Sequence, residues 1–443
     1  MTPAARLAAS IELLSEVMSF QRPADAVANN FFRDRRYIGG GDRRAISARI
    51  WDILRHWKKL EWWLAQMNVQ VPSSRLMCAG WAVLSGQPFE HVQALFSGGR
   101  YAPDALTNKE KMILAGLVGR TLEVASMPRA VRLEMPEWLM PLLEERFGKE
   151  LEKEAKALLQ PASLDIRVNL LKTSCEKALA ALAEEKIMAE KSPLSPWGIR
   201  IDGRISITSS ALFRSGDIEI QDEGSQLIAL LAEAQPGQRV MDYCAGAGGK
   251  TLGMAMAMQN QGHIVACDVS SHRLEAAVKR LRRAGVHNVE RHLLVEGDKW
   301  LKRQKARFDR VLVDAPCTGT GTWRRNPDGR LRLTQTDLDE LKVKQRNILQ
   351  TASRLVKPGG RLIYATCSLL SQENQAQVEA FLQANPDFQQ LWLKEIDSAQ
   401  ILPEAMRQKP FLELTPASYG TDGFFCSVLQ RQTMEQKDSQ QTE

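Results

Sequence analysis

No apolar run in this 443-residue chain approaches the ~20 residues that a membrane-spanning helix needs, which excludes an integral helical membrane protein. Its seven cysteines occur singly and never as a CxxC pair. An odd, scattered set of this kind excludes a disulfide framework and a structural zinc site, and it leaves reduced thiols available for chemistry. Internal repeats and low-complexity tracts are absent as well, so neither a solenoid nor a disordered chain fits. The first twenty residues carry Glu12 and Glu16 inside their apolar pattern and therefore read as an amphipathic helix, not a secretion signal. The expectation is a cytoplasmic monomer with no membrane partner and no metal.

What is present is the composition of a soluble globular protein, with 44% hydrophobic and 25% charged residues. The length calls for two or three domains. Residues 1–125 read as all helix, most clearly in "GDRRAISARIWDILRHWKKLEWWL", where Asp42 is placed to cap the N-terminus and Ile46, Ile50, Ile53, Leu54, Trp57 and Leu60 recur at helical spacing. Between Arg33 and Lys59 stand nine Lys or Arg against three Asp, which is most of the chain's net charge of +7. That excess suits either a face that grips nucleic-acid phosphates or the solvated side of an ordinary helix. Trp57, Trp62 and Trp63 are expected in the core. Residues 126–235 read as a helical linker and a small α+β module, with a helix opened by Pro136, a strand at "LDIRVNLLK" and a helix at "SCEKALAALAEEKI".

From 236 to 431 strands and helices alternate, which implies right-handed crossovers and a Rossmann-like, mostly parallel α/β sheet, closed by a C-terminal strand at "GFFCSVLQR". The polar residues 432–443 are expected to form a disordered tail. In such a sheet ligands lie beyond the carboxyl ends of the strands. The first strand ends at Asp242 and runs into the turn Cys244, Ala245, Gly246, Ala247, Gly248, Gly249, Lys250. A nucleotide P-loop would need glycine where Cys244 stands, so a phosphate cradle is not expected. Asp268 ends the second strand twenty-two residues after Gly246, where a carboxylate takes ribose hydroxyls, and Asp298 follows the third. Carboxylates at these places, with no cation for a pyrophosphate, fit a cofactor with a ribose and an adenine but no phosphates, namely S-adenosylmethionine. Lys250 stands where it could order either the loop or a catalytic carboxylate.

Two further strand ends carry a cysteine, Cys317 in "DAPC" after Asp314 and Cys367 in "YATCS". Neighbouring parallel strands lie ~4.8 Å apart, so both thiols can face one pocket. Methylation of cytosine at C5 needs an attacking thiolate and gives a second cysteine something to do. The ring carbon is a poor nucleophile until a thiolate adds at C6 and a proton reaches N3, and the thiol must later be expelled. Asp314 is suited to hold the N3 and N4 edge, and the base would have to be presented outside a helical stack.

In order along the chain, "CAGAGGK", "DAPCTGTG", "RRNPD", "YATCS" and "DGFF" resemble the RNA cytosine-5 methyltransferase family, over residues from about 220 to 430. "DIRVNLLK" and "EIQDEGSQLIALL" look like that family's preceding module, and the helical N-terminal region resembles an RNA-binding NusB-like domain, as in the bacterial RsmB-type (Fmu/Sun-like) branch that acts on 16S rRNA. The resemblance implies that Cys244 through Lys250, Asp268, Asp298 and Asp314 line the cofactor site. It also implies that Cys367 is the attacking nucleophile and that Cys317 serves proton removal or product release. The family's loop commonly has proline where this chain has Ala247, a relaxation of ~0.5 to 1 kcal/mol through chain entropy. Arg324, Arg325 and Arg330 are expected to meet RNA phosphates at the pocket mouth. Alternatives of the same chemistry are tRNA or 23S rRNA as substrate. A non-catalytic RNA-binding assembly factor would lack a use for Cys317, Cys367 and Asp314. A cysteine-using DNA methyltransferase would place its nucleophile at the Pro316–Cys317 pair and would need a DNA-reading region.

Overall fold

The structure is a computed structural model, and it describes residues 1–201, 203 and 205–433. The tail expected from 432 onward therefore lies, from residue 434, outside the described residues. The chain divides into two compact units, Met1–Pro161 with Thr322–Gln335, and Ala162–Gly321 with Thr336–Glu443.

The first unit is built of helices whose apolar stripes converge on one core, among them Leu13, Leu14, Phe31, Ile46, Ile50, Leu60 and Leu64. Helix ends follow local chemistry: Thr2 caps Pro3–Val17 with proline at the first turn, and Thr107 and Glu110 form a reciprocal capping box. The long helix read through "GDRRAISARIWDILRHWKKLEWWL" is two, Gly40–Arg55 and Trp57–Gln66, because His56 leaves the helical range (φ −115°, ψ 27°). Its ring stacks on Trp81 instead. Asp42 does not cap. Gly39 holds that position, and the Asp42 carboxylate takes the Arg6 guanidinium at 2.7 Å and the N-terminal amine at 3.0 Å. Trp57 and Trp63 are in the core, with Trp62 half-buried against it. Helix continues past 125, through Met140–Phe147 and Leu151–Leu159.

The basic stretch is not one solvated face. Arg55 and Lys59 are buried, the latter paired with Glu123 at 2.8 Å, and Arg35 lies over the Phe31 ring beside Glu12 and Glu16. Arg33, Arg36 and Arg44 remain exposed.

The segment from Thr322 to Gln335 belongs to this helical unit, and the burial of Arg330 and Arg324 overturns the expectation that these two wait for phosphates. Arg330 is 1% exposed, donates to the carbonyls of Glu134 and Leu158 at 3.3 Å each, and sits over the Trp323 ring. Arg324 is buried too, and its carbonyl accepts from Arg55 at 3.2 Å. Arg325 is half-buried, its carbonyl taken by the Trp51 indole at 3.0 Å. Asp328 accepts from the backbone of Ala24 at 3.1 Å, at the start of helix Ala24–Asp34. A charged guanidinium can leave water only where acceptors replace its hydration, and for Arg330 the two backbone carbonyls do so.

The second unit holds two sheets. Strands β1 (Leu164–Val168), β2 (Ala189–Lys191), β3 (Gly198–Ile201) and β4 (Ile218–Ile220) form an antiparallel sheet in the order β2-β3-β1-β4. Helix Cys175–Glu184, capped by Ser174, shares its apolar cluster. The larger sheet comprises β5 (Arg239–Asp242), β6 (His263–Asp268), β7 (Val289–Leu293), β8 (Phe308–Asp314), β9 (Val356–Thr366), β10 (Phe388–Leu391), β11 (Leu412–Leu414) and β12 (Phe424–Arg431). Its order is β10-β12-β9-β8-β5-β6-β7, with β11 on β12; β5 to β9 pair in parallel, and β12 runs antiparallel to β9. The parallel strands β5, β6 and β8 read as apolar runs because helices cover both faces. Strand order reverses between β5 and β8, which sets a crevice at their carboxyl ends.

Candidate active site

At that crevice lies a cavity of about 1200 Å³. Its floor is the turn after β5, where positive φ at Gly246 (55°) and Gly248 (80°) bends strand into helix Gly249–Ala257. Asp268, at the end of β6, fastens the turn by accepting from the Gly246 amide at 2.8 Å while its other oxygen takes the Ser270 amide at 2.8 Å. Two arginines hold the turn's carbonyls: Arg280 reaches Ala247 and Arg167, from β1, reaches Gly249, each at 2.8 Å. Burial pulls the Arg167 guanidinium down to about 10.

Of the residues expected to bind a cofactor, Cys244, Ala245, Gly246, Ala247, Gly249, Lys250, Asp268 and Asp314 line the cavity. Gly248 does not, because it serves as the N-cap of the following helix. Asp298 does not either. One of its oxygens caps the short helix Lys299–Lys302 and the other takes His292 at 2.6 Å, while Glu296 lines the wall in its place. Cys244 is a half-buried wall residue whose thiol burial pushes well above its ordinary range. The sequence reading missed Gln221, Asp222 and Ser225, which follow β4, together with Arg273, Lys344 and Asn347 from two helices. The first three stand in "EIQDEGSQLIALL", a stretch read only as part of the preceding module, and no local pattern marks the other three, which the fold alone brings to the crevice.

Asp242, the last residue of β5, lines the cavity with one oxygen bonded to the Thr251 hydroxyl at 2.6 Å and the other, Oδ1, buried without a partner. Burial pushes its carboxyl up to about 7. An orphaned acceptor on the wall of a cavity is what an amino-acid ammonium requires, so the residues fit the methionine portion of S-adenosylmethionine.

The catalytic candidates meet at the carboxyl ends of β8 and β9, where Asp314 is the register partner of Ala365. Cys317 Sγ and Cys367 Sγ are 3.4 Å apart, and both line the cavity. Lys250 Nζ donates to Asp314 Oδ2 at 2.7 Å, so the lysine serves the carboxylate. Burial pulls that ammonium down, but the Asp314 carboxylate outweighs it and holds Lys250 above its ordinary value. Contact with Cys367, then burial, pushes the Cys317 thiol well above the usual range. Among the described residues no cluster of His, Cys, Asp and Glu could hold a metal ion, and no helix is long and apolar enough to cross a membrane.

A glycine-rich turn after the first strand of such a sheet, facing an acid at the end of the second, defines a class of nucleoside-cofactor-binding α/β folds, to which the S-adenosylmethionine-dependent methyltransferases belong. Comparison with known proteins narrows it. Residues 229–430 match the family model "16S rRNA methyltransferase RsmB/F", and residues 135–208 match the ferredoxin-like domain of RsmF/B-like methyltransferases. The chain is 33% identical over 306 residues to the probable ribosomal RNA small subunit methyltransferase B of Bacillus subtilis, covering 68% of this chain and 67% of that protein. To the ribosomal RNA small subunit methyltransferase B of Yersinia pseudotuberculosis it is 28% identical over 409 residues, 88% of this chain and 90% of that one. The crystal structure of PH0851 superposes with a TM-score of 0.78 at 25% identity, covering 97% and 99% of the two chains. The chain belongs to the RsmB/F family of 16S rRNA methyltransferases.

Proposed function

We propose that this protein methylates C5 of a cytosine in 16S rRNA, through a covalent bond between Cys367 and C6 of the base. The observation that carries this reading is the contact of two thiols, 3.4 Å apart, on the wall of a cofactor cavity beside the Asp314–Lys250 pair. When bound, S-adenosylmethionine supplies an electrophilic methyl group; Asp242, Asp268 and the turn from Cys244 to Lys250 would hold it.

The protein's own groups do the rest. Asp314, fixed by Lys250, holds the N3 and N4 edge of the flipped base. Cys367 adds to C6, and the electron pair displaced onto the ring makes C5 nucleophilic. Cys317 keeps its proton during this step, because contact with Cys367 raises its thiol. Once Cys367 is committed to the bond with C6, that contact no longer holds Cys317 up; Cys317 gives its own proton to water in the cavity and, as the thiolate, takes the C5 proton. Loss of the proton drives out Cys367 as the C6–Sγ bond breaks, which restores both the aromatic ring and the thiolate.

Removal of the C5 hydrogen gives a direct test. Full-length 16S rRNA carrying [5-³H]cytosine should release tritium in step with methyl transfer, whereas tRNA and 23S rRNA should release none. Tritium from tRNA or 23S rRNA alone would move the substrate assignment, and methylation without tritium release would overturn the C5 chemistry.

The high Asp242 value adds a pH dependence. Below about 7 the unbound carboxyl is neutral and must lose a proton before it can hold an ammonium. Affinity for S-adenosylhomocysteine should therefore rise with pH, by up to about tenfold per unit below 7, and level off above it. Isothermal titration calorimetry across this range should show the slope, and Asp242→Asn should bind more weakly with the slope gone.

A further inference from the structure

We propose that Glu373 is a positioning residue that clamps the loops carrying Cys317 and Cys367 together and so sets the contact between the two thiols. It rests on the reading that the two thiols act as a pair. Glu373 follows β9 and is fully buried. Its Oε1 accepts from the Thr318 amide and from Gln345 Nε2, each at 2.9 Å, and its Oε2 accepts from the hydroxyls of Thr318 and Ser368. Thr318 and Ser368 are the residues immediately after Cys317 and Cys367, so one carboxylate holds the exits of both cysteine loops.

The surroundings fix the clamp itself. The Tyr364 hydroxyl donates to the Glu373 carbonyl at 2.6 Å, and Asn374 donates to the Ser368 carbonyl at 2.9 Å. Gln345 donates a second bond, at 3.0 Å, to the Pro316 carbonyl. A buried carboxylate is costly unless donors surround it, and a turn that only needed closing would not require one. A restraint is needed here. Cys317 is followed by Thr-Gly-Thr-Gly with Gly319 at φ 67°, a stretch with little stiffness of its own.

The test uses the full chain and a readout that does not depend on methyl transfer. Treatment with diamide should join Cys317 and Cys367 in a disulfide, followed by peptide mapping under non-reducing conditions. Glu373→Gln should slow that cross-link at least about tenfold and lower kcat by about 10²-fold, with affinity for S-adenosylhomocysteine and KM for RNA unchanged, since a misplacement of ~1 Å suffices for such a loss. Ser368→Ala keeps the carboxylate and removes one donor. It should slow the cross-link by a smaller factor, and it decides the matter if Glu373→Gln fails to bind the cofactor product. Cross-linking at the wild-type rate in both variants would overturn the clamp. If cross-linking depends on Glu373 but the wild-type protein releases no C5 tritium from any RNA, the clamp stands and the proposed reaction falls.

Discussion

Cys367→Ala is expected to abolish methyl transfer, with a loss of at least about 10⁴-fold in kcat/KM, or about 5 kcal/mol of transition-state stabilisation. The size follows from its place in the proposed reaction. Without a thiolate at C6 there is no route to a nucleophilic C5, and the remaining groups bind and orient a base that cannot react. Cofactor affinity should be unchanged, because the turn after β5 and Asp268 hold one another without Cys367. Single-turnover assays with radiolabelled cofactor, alongside calorimetry, separate the two effects. Residual transfer within about tenfold of wild type would mean that another group attacks.

Arg330→Ala is expected to destabilise the helical unit by about 3–5 kcal/mol, a fall in Tm on the order of 10 °C. Arg330 satisfies the carbonyls of Glu134 and Leu158, and its charge counters, in part, the burial that pushes the Glu134 carboxyl up to about 7. Truncation leaves two buried carbonyls without that donor, opens a gap beside Trp323, and removes the cation opposite a buried acid. Differential scanning calorimetry reads the loss. An arginine that only contacted RNA phosphate would leave Tm unchanged and lower the salt dependence of RNA binding by about one unit of slope. The same experiment therefore distinguishes the buried role from the one expected of "RRNPD".

That contrast shows where the sequence is informative. The ends of β5, β6, β8 and β9 are legible because each apolar run stops at a chemically marked residue, Asp242, Asp268, Asp314 or the Thr366–Cys367 pair. The pocket follows from them, since a parallel sheet places such ends side by side. Arg330 was misread because its acceptors lie on Glu134 and Leu158, far away along the chain, and an arginine in a loop looks the same whether water or carbonyls surround it. Asp298 shows the same limit in miniature: a carboxylate at a strand exit and a carboxylate at a helix start share one sequence pattern, and the structure makes it a cap. Lys250 had two open roles until the fold brought Asp314 to 2.7 Å. Glu373 carries no local sign at all, because its importance comes from Thr318, Ser368 and Gln345 converging on it from separate elements.

The covalent step and the division of labour between the thiols can be tested together in the Cys317→Ala variant. Incubated with 16S rRNA and S-adenosylmethionine, this protein should accumulate an RNA adduct stable to denaturing gels, since the C5 proton is no longer removed and the C6–Sγ bond does not break. Proteolysis and mass spectrometry should place a methylated pyrimidine on the peptide containing Cys367, and the Cys317→Ala, Cys367→Ala double variant should form no adduct. An adduct that needed Cys317 and not Cys367, or none from any cysteine variant, would contradict the mechanism.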